Sequence, residues 1–130
     1  PNGLSSGHQP IRANEAYSDG QLARIKAFNF QSRAYSQMRA AELMLQESIR
    51  LYEAGENPGE EANLAKLLCA DASWAAAEMC VQTYGGFGFA EEYDVERKFR
   101  EARLYTVAPI STNLILSYLA EHVLGLPRSY

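Results

Sequence analysis

A nearly apolar stretch from Leu67 to Val81 constrains the fold more than any other part of the chain. Its only strongly polar residues are Asp71, Ser73 and Glu78, and alanines alternate there with larger side chains. A helix that is apolar on most sides is buried on most sides, and alanines let neighbouring helices approach closely. The stretch therefore predicts the central helix of a bundle.

Start and stop signals delimit this helix and three others. Asn57 is a typical N-cap, Pro58 suits the first helical position, and the helix should run to about Tyr84. The other predicted helices are about 19–54 with Asp19 as N-cap and Gly55 as the glycine after the C-cap, about 95–105 capped by Asp94, and about 111–124 between Pro109 and Gly125. Because no strand-like alternation occurs, the predicted fold class is all-α, an up-and-down helical bundle.

The chain divides into a short tail and one domain. Residues 1–13 are rich in Gly, Ser and Pro and lack an apolar period, so we expect a flexible tail or linker there. Residues 14–130 are predicted to form the bundle domain. A start on Pro-Asn-Gly rather than Met leads us to expect a part of a larger protein.

Composition narrows the possible partners and the compartment. The net charge of −4 argues against nucleic acid, and no apolar run is long enough to span a membrane. Cys69 and Cys80 are 11 positions apart, about 16 Å along one helix, which is too far for a disulfide. We therefore expect buried free thiols in a soluble, cytoplasmic protein.

The residues by themselves offer little chemistry. His8 lies in the tail and His122 near the end of the last helix, neither in a catalytic setting, and no spacing of ligand residues predicts a metal site. The glycines at 85, 86 and 88 follow a helix rather than a strand, which excludes a dinucleotide-binding turn of the Rossmann type.

Two features near these glycines have purely structural explanations. The charged segment 91–103 is typical of a solvated helix face, with Glu96 and Arg100 spaced as an ion pair. The aromatic residues Phe87, Phe89 and Tyr93 could form the hydrophobic seal of the loop. Without further comparison, the prediction stops at a soluble helical bundle.

The segment VQTYGGFGFAEEYDVERKFREARLY resembles the C-terminal helical domain of acyl-CoA dehydrogenases. Members of that family show a Q-x-x-G-G-x-G-[FY] turn, then E-Y-x-V-E, then R-D-A-R-[IL], and the three blocks occur here in order. The segment EANLAKLLCAD is similar to the family's A-x-x-A-K helix start. The resemblance covers about residues 57–126, while residues 9–56 match only loosely.

The resemblance implies a flavoenzyme that oxidises an acyl-CoA substrate with FAD and passes electrons to an electron-transfer acceptor. It implies a homodimer or homotetramer in which this turn approaches the FAD of the neighbouring subunit, where bare glycine backbone permits close contact with the adenosine and the pyrophosphate. The FAD-binding residues that it implies are Gln82, Thr83, Tyr84, Gly85, Gly86, Ser111, Thr112 and Asn113. Simpler roles stay open: Gly85 and Gly86 as the end of a helix, and Ser111 as an N-cap.

One departure from the family pattern affects catalysis. The family's Y-E-G-T segment often carries the glutamate that removes the substrate α-proton, and here Pro109 stands at that position. Proline has no side-chain base, so no catalytic residue is assigned to this chain. Either the base lies on an earlier helix outside this sequence, or the chain is a non-catalytic oligomerisation or scaffold module with the same fold.

Overall fold

The structure is a computed structural model that describes the backbone of residues 19–128 and the side chains of residues 28–128. Four α-helices make up most of this range: α1 (Asp19–Glu53), α2 (Gly59–Tyr84), α3 (Val95–Leu104) and α4 (Thr112–Tyr118). Two 3₁₀ turns, Gly85–Phe89 and Glu91–Tyr93, link α2 to α3, and a π-helical turn, Leu119–Val123, extends α4. Within the described range there is no strand, so the all-α prediction is confirmed. The predicted tail 1–13, with His8, lies outside it.

The second helix is the centre of the fold, as its apolar sequence predicts. It contacts α1, α3, α4 and the first 3₁₀ turn. The buried apolar residues are mainly alanines: Ala41, Leu51, Ala65, Ala70, Ala72, Ala77, Ala102 and Ile115. Because alanine side chains are short, the helix backbones pack closely, and the sulfur of Cys69 lies 4.0 Å from the Ala41 carbonyl oxygen of α1.

The expectation that both thiols are buried is wrong. Both cysteines are free, but Cys69 is only half-buried and Cys80 is exposed. Asp71 and Glu78 are exposed on α2 as well, because the other helices of this chain cover only part of its circumference.

The end of α1 follows the prediction in detail. Gly55 has φ +75°, its N–H donates to the Tyr52 carbonyl (3.1 Å), and the Glu56 N–H donates to the Leu51 carbonyl (2.9 Å). These are the two hydrogen bonds of a Schellman motif with glycine at its left-handed position. The fourth helical segment likewise ends at the predicted Gly125, where φ is +65°.

Two of the predicted N-caps, Asn57 and Asp94, differ in detail from the prediction. The Asp19 cap stays a prediction, because the described residues begin at Asp19. The second helix begins at Gly59, with Pro58 as the cap residue rather than the first helical one. Asn57 still contributes, because its Oδ1 accepts from the Gly59 N–H at 3.1 Å. Asp94 is the cap residue of α3, but it makes no side-chain cap hydrogen bond because its carboxylate is paired with Arg97.

We expect Gly55→Ala to lower the free energy of unfolding by about 1 kcal/mol, since an L-residue in the left-handed region is strained. An added Cβ would meet nothing within 4 Å, so the cost is conformational and not steric. Urea unfolding measures it. Gly55→Asn is the control, because asparagine tolerates this conformation better and should lose less. Equal losses in the two variants would contradict this interpretation.

Candidate functional site

The predicted cofactor residues fall into two separate places, which we treat in turn. The first, here called the glycine turn, comprises residues 82–89. The second helix ends at Tyr84 and the chain continues directly into the 3₁₀ helix Gly85–Phe89. Every residue of the turn is exposed except Gly88.

The three glycines of the turn have different structural roles. Gly85 has φ +57° and ψ −133°, a backbone conformation that essentially only glycine adopts. A Cβ on Gly88 would lie 3.0 Å from the Val81 carbonyl oxygen and 3.1 Å from the Val81 Cα, so this glycine permits close packing against α2. Gly86 has neither constraint: its φ is not positive, and a Cβ there would meet nothing within 4 Å. Nothing within the described chain explains why residue 86 has no side chain.

Aromatic rings flank the turn without sealing it. The Tyr93 ring lies edge-on to the rings of Tyr84 and Phe87, with centroid distances of 5.8 and 5.6 Å. Phe89 stays 75% exposed, and Phe87 66% exposed. A hydrophobic cluster that covers the loop would therefore explain the position of Tyr93. It does not explain Phe87 and Phe89, which remain on the surface. Such a surface offers flat apolar area to a ring system or to another protein segment.

The polar groups of the turn favour an uncharged ligand. The Thr83 hydroxyl donates to the Met79 carbonyl at 2.8 Å, which leaves its oxygen as an acceptor. The amide of the exposed Gln82 can donate and accept. The carbonyl end of α2 carries partial negative charge, and Glu91 and Glu92 follow the turn closely. The turn therefore suits an uncharged nucleoside better than a pyrophosphate.

The second place, here called the α4 start, comprises Ser111, Thr112 and Asn113. The Ser111 hydroxyl oxygen accepts from the Leu114 N–H at 3.4 Å, so the structure gives Ser111 the capping role. The Thr112 N–H donates to the Thr106 carbonyl at 3.1 Å, which fixes the backbone as it enters the helix. Asn113 is exposed.

The loop before α4 contains no candidate base. Pro109 and Ile110 are both exposed, and no Asp, Glu or His occurs between Tyr105 and Asn113. The loop can thus supply shape and apolar contact but no group that accepts a proton at neutral pH. The assignment of no catalytic residue remains a prediction for the protein as a whole.

The structure keeps the glycine turn and the α4 start far apart. Lys66 of α2 bonds to the carbonyl of Tyr105, close to the α4 start, whereas the glycine turn follows Tyr84. From residue 66 to residue 84, α2 advances about 27 Å at 1.5 Å per residue. The two places lie toward opposite ends of α2, so a single ring system cannot contact both.

The charged residues of α3 form surface ion pairs, as their spacing predicts. Glu96 and Arg100 pair at 2.8 Å, and Arg97 bonds to both Asp94 (2.9 Å) and Glu101 (2.7 Å). The hydrogen bond from Arg97 lowers the pKa of Asp94 and that of Glu101 below their ordinary values. The two pairs of Arg97 with Asp94 and Glu101 contribute stability at neutral pH that is lost as the pH falls through the lowered pKa values of these carboxylates. Their exposure keeps the contribution small.

Sequence reasoning overlooked two residues that shape these places. Val81 gives Gly88 its packing role, and Lys66 of α2 reaches the α3–α4 loop. For Lys66, the signal in the sequence is a lysine that directly precedes an otherwise apolar segment. In the described range, no group of three or more His, Cys, Asp or Glu residues could hold a metal ion. None of the helices in that range is long and apolar enough to cross a membrane.

Comparison with known proteins gives a consistent result. The family model described as "Acyl-CoA dehydrogenase, C-terminal domain" matches residues 12–124. Acyl-CoA dehydrogenase FadE12 of Mycobacterium tuberculosis is 41% identical over 101 residues, which cover 76% of this chain and 26% of that protein. An acyl-CoA dehydrogenase of Bacillus subtilis is 31% identical over 117 residues, 90% of this chain and 28% of its own length.

A mammalian relative extends the range of similar proteins. The mitochondrial short/branched chain specific acyl-CoA dehydrogenase of Rattus norvegicus is 32% identical over 88 residues, 68% of this chain and 20% of that protein. The chain thus spans about a quarter of the length of the curated relatives that it matches.

Proposed function

This chain belongs to the acyl-CoA dehydrogenase family, whose C-terminal domain it matches, and we propose that in its full-length protein it completes an FAD-dependent acyl-CoA dehydrogenase. The observation that carries the proposal is Gly86. Neither the backbone conformation nor the packing of the described residues requires a glycine at this position, and Gly86 lies at an exposed surface. A ligand that rests against this backbone supplies the missing reason.

The glycine turn is proposed to contact the adenosine portion of an FAD held mainly by the neighbouring subunit. Its bare backbone, its exposed glutamine and the absence of charged side chains within residues 82–89 fit a nucleoside. The partial negative charge at the carbonyl end of α2 disfavours direct contact with the pyrophosphate. Gln82, Thr83, Tyr84, Gly85 and Gly86 are the proposed contacts.

The α4 start is proposed to contact FAD at a different position. Since the two places lie about 27 Å apart along α2, they serve either opposite ends of one cofactor or two cofactors in an oligomer. Ser111 keeps its capping bond in either case. Thr112 and Asn113 are therefore the side chains best placed to add polar contacts.

Bound FAD would supply the electron acceptor for α,β-dehydrogenation of an acyl-CoA thioester. This chain's share is to bind and orient. Because the loop around Pro109 has no base, we propose that the residue that removes the α-proton lies in another part of the full-length protein. We also propose that the full-length protein passes its electrons to an electron-transfer acceptor and is located in the cytoplasm.

Exposed apolar side chains support assembly with other subunits or domains. Some of the largest are more than half exposed, for example Phe28, Tyr52, Leu114 and Leu124. The buried residues, in contrast, are mainly alanines. A fold with small residues inside and large apolar residues outside gains stability from covering surfaces. We propose a homodimer or homotetramer, the arrangement that also brings the glycine turn to a neighbour's FAD.

A non-catalytic scaffold module is the alternative, favoured by the single observation that Pro109 stands where a base is expected. The two proposals differ in whether the full-length protein binds FAD. We expect the purified protein to carry flavin, with about one FAD per subunit, and to lose it when the oligomer is dissociated by dilution or mild urea. A colourless oligomer that takes up no added FAD would support the scaffold instead.

A further inference from the structure

One side chain of α2 reaches the loop that leads into α4. Lys66 is half-buried, and its Nζ donates a hydrogen bond to the backbone carbonyl of Tyr105, 39 positions further along the chain. This hydrogen bond joins a charged side chain to a distant segment of the chain. It connects the middle of the bundle to the start of the α3–α4 loop.

The position of this carbonyl makes the contact stronger than an ordinary surface hydrogen bond. Tyr105 is the C-cap residue of α3, where the unpaired carbonyls carry partial negative charge. An ammonium donor adds charge to the hydrogen bond, and hydrogen bonds of charged groups contribute more than neutral ones. Lys66 therefore stabilises the end of α3 from a neighbouring helix.

From Tyr105 a short series of hydrogen bonds leads to the α4 start. Thr106, the next residue, is buried, and its hydroxyl donates to the Arg103 carbonyl at 2.8 Å. The Thr106 carbonyl in turn accepts from the N–H of Thr112 at 3.1 Å. The hydrogen bond from Lys66 restrains Tyr105 and therefore the adjacent Thr106. Thr112, the first residue of α4, is in turn hydrogen-bonded to Thr106.

We propose that Lys66 is a positioning residue that orders the α3–α4 loop and thereby sets the position of Ser111, Thr112 and Asn113. That these three residues contact FAD rests on the proposed function; the ordering of the loop by Lys66 does not. In this proposal Lys66 acts through Tyr105 and Thr106.

Two substitutions separate the charge of Lys66 from its bulk. Lys66→Met keeps an unbranched chain but removes the donor, and Lys66→Arg keeps a charged donor. A cavity of about 260 Å³ adjoins the site and gives the larger guanidinium room. It is lined by Lys66, Cys69, Ala70, Ser73 and Tyr105. Lys98→Met is the matched control, because it removes an exposed lysine whose ion-pair partner is Glu101 of its own helix.

Amide hydrogen exchange of the full-length protein, read by mass spectrometry, tests the ordering. In Lys66→Met we expect exchange over residues 105–115 to accelerate about tenfold, the ratio that corresponds to about 1.4 kcal/mol. Exchange over residues 41–51 of α1 should stay unchanged. Lys66→Arg should restore most of the protection, and Lys98→Met should not change either segment. Unchanged exchange over 105–115, equal acceleration in both segments or no restoration by arginine would each overturn the proposal.

A second measurement distinguishes this proposal from the proposed function. If the full-length protein binds FAD, Lys66→Met should raise the FAD dissociation constant several-fold and Lys66→Arg should return it toward the original value. A flavin-binding protein with the exchange effect but with unchanged FAD affinity would overturn the positioning role. A protein that binds no FAD but shows the exchange effect would refute the enzyme proposal and leave the ordering by Lys66 intact.

Discussion

Replacing Gly86 with valine in the full-length protein is expected to weaken FAD binding about tenfold or more while the free energy of unfolding of the apoprotein changes by less than about 0.5 kcal/mol. The side chain would project into space that is open in this chain. It cannot strain the backbone either, since Gly86 has no positive φ. Only a ligand, a neighbouring subunit or another domain of the full-length protein at this surface would meet the added atoms. Titration of the apoprotein with FAD, followed by flavin fluorescence, measures the affinity.

The neighbouring glycines provide matched controls. Gly88→Ala should destabilise the fold by about 1–3 kcal/mol, because the new Cβ would press on backbone atoms of Val81. Gly85→Ala should also destabilise, through its left-handed backbone. In both, flavin should be lost together with stability. If Gly86→Val bound FAD as tightly as the original protein, or lost stability and flavin in parallel, the turn would be only a helix end.

Ile115→Ala should cause the largest loss of stability of any single truncation in the described part of the chain. Ile115 is the largest fully buried side chain there, with 0% exposure, in a core made otherwise mainly of alanines. Truncating a buried isoleucine costs about 2–5 kcal/mol, since the transfer free energy is lost and a cavity remains. Denaturant unfolding of the full-length protein measures this cost.

Ile115→Val provides the graded control for this prediction. It removes one methylene and should cost about 0.5–1.5 kcal/mol. Because Ile115 packs α4 against the bundle, the protection of the α4 start against amide hydrogen exchange should fall slightly in Ile115→Val and more in Ile115→Ala. A cost below about 1 kcal/mol for Ile115→Ala would show that α4 is not anchored where the structure places it.

The sequence predicts local features of this fold well. Gly55 and Gly125 mark helix ends because a left-handed backbone favours glycine, a requirement that is visible in the sequence. The alanines of α2 predict close helix packing, and the buried residues of α2 are all alanines, although Ala75 is only half-buried and Ala76 is exposed. Ion pairs such as Glu96 with Arg100 follow from helical spacing alone.

Features that depend on long-range geometry are the ones that the sequence does not reveal. The apolar character of the segment predicts that Cys80 is buried. Burial depends on which elements cover a helix face, and the described elements leave Cys80 exposed. The distinct roles of Gly85, Gly86 and Gly88 require backbone angles and distances to Val81. The contact of Lys66 with Tyr105 joins residues on different elements, which no local pattern encodes.

Anaerobic addition of acyl-CoA to the full-length, flavin-loaded protein tests the central claim most directly. If the protein is an acyl-CoA dehydrogenase, the absorbance of the oxidised flavin should bleach on mixing with a suitable thioester, and the corresponding enoyl-CoA should form in a stoichiometric amount. A panel of straight and branched acyl-CoA thioesters covers the range of substrates. A flavin that stays oxidised with every thioester, and yields no enoyl product, would contradict the claim.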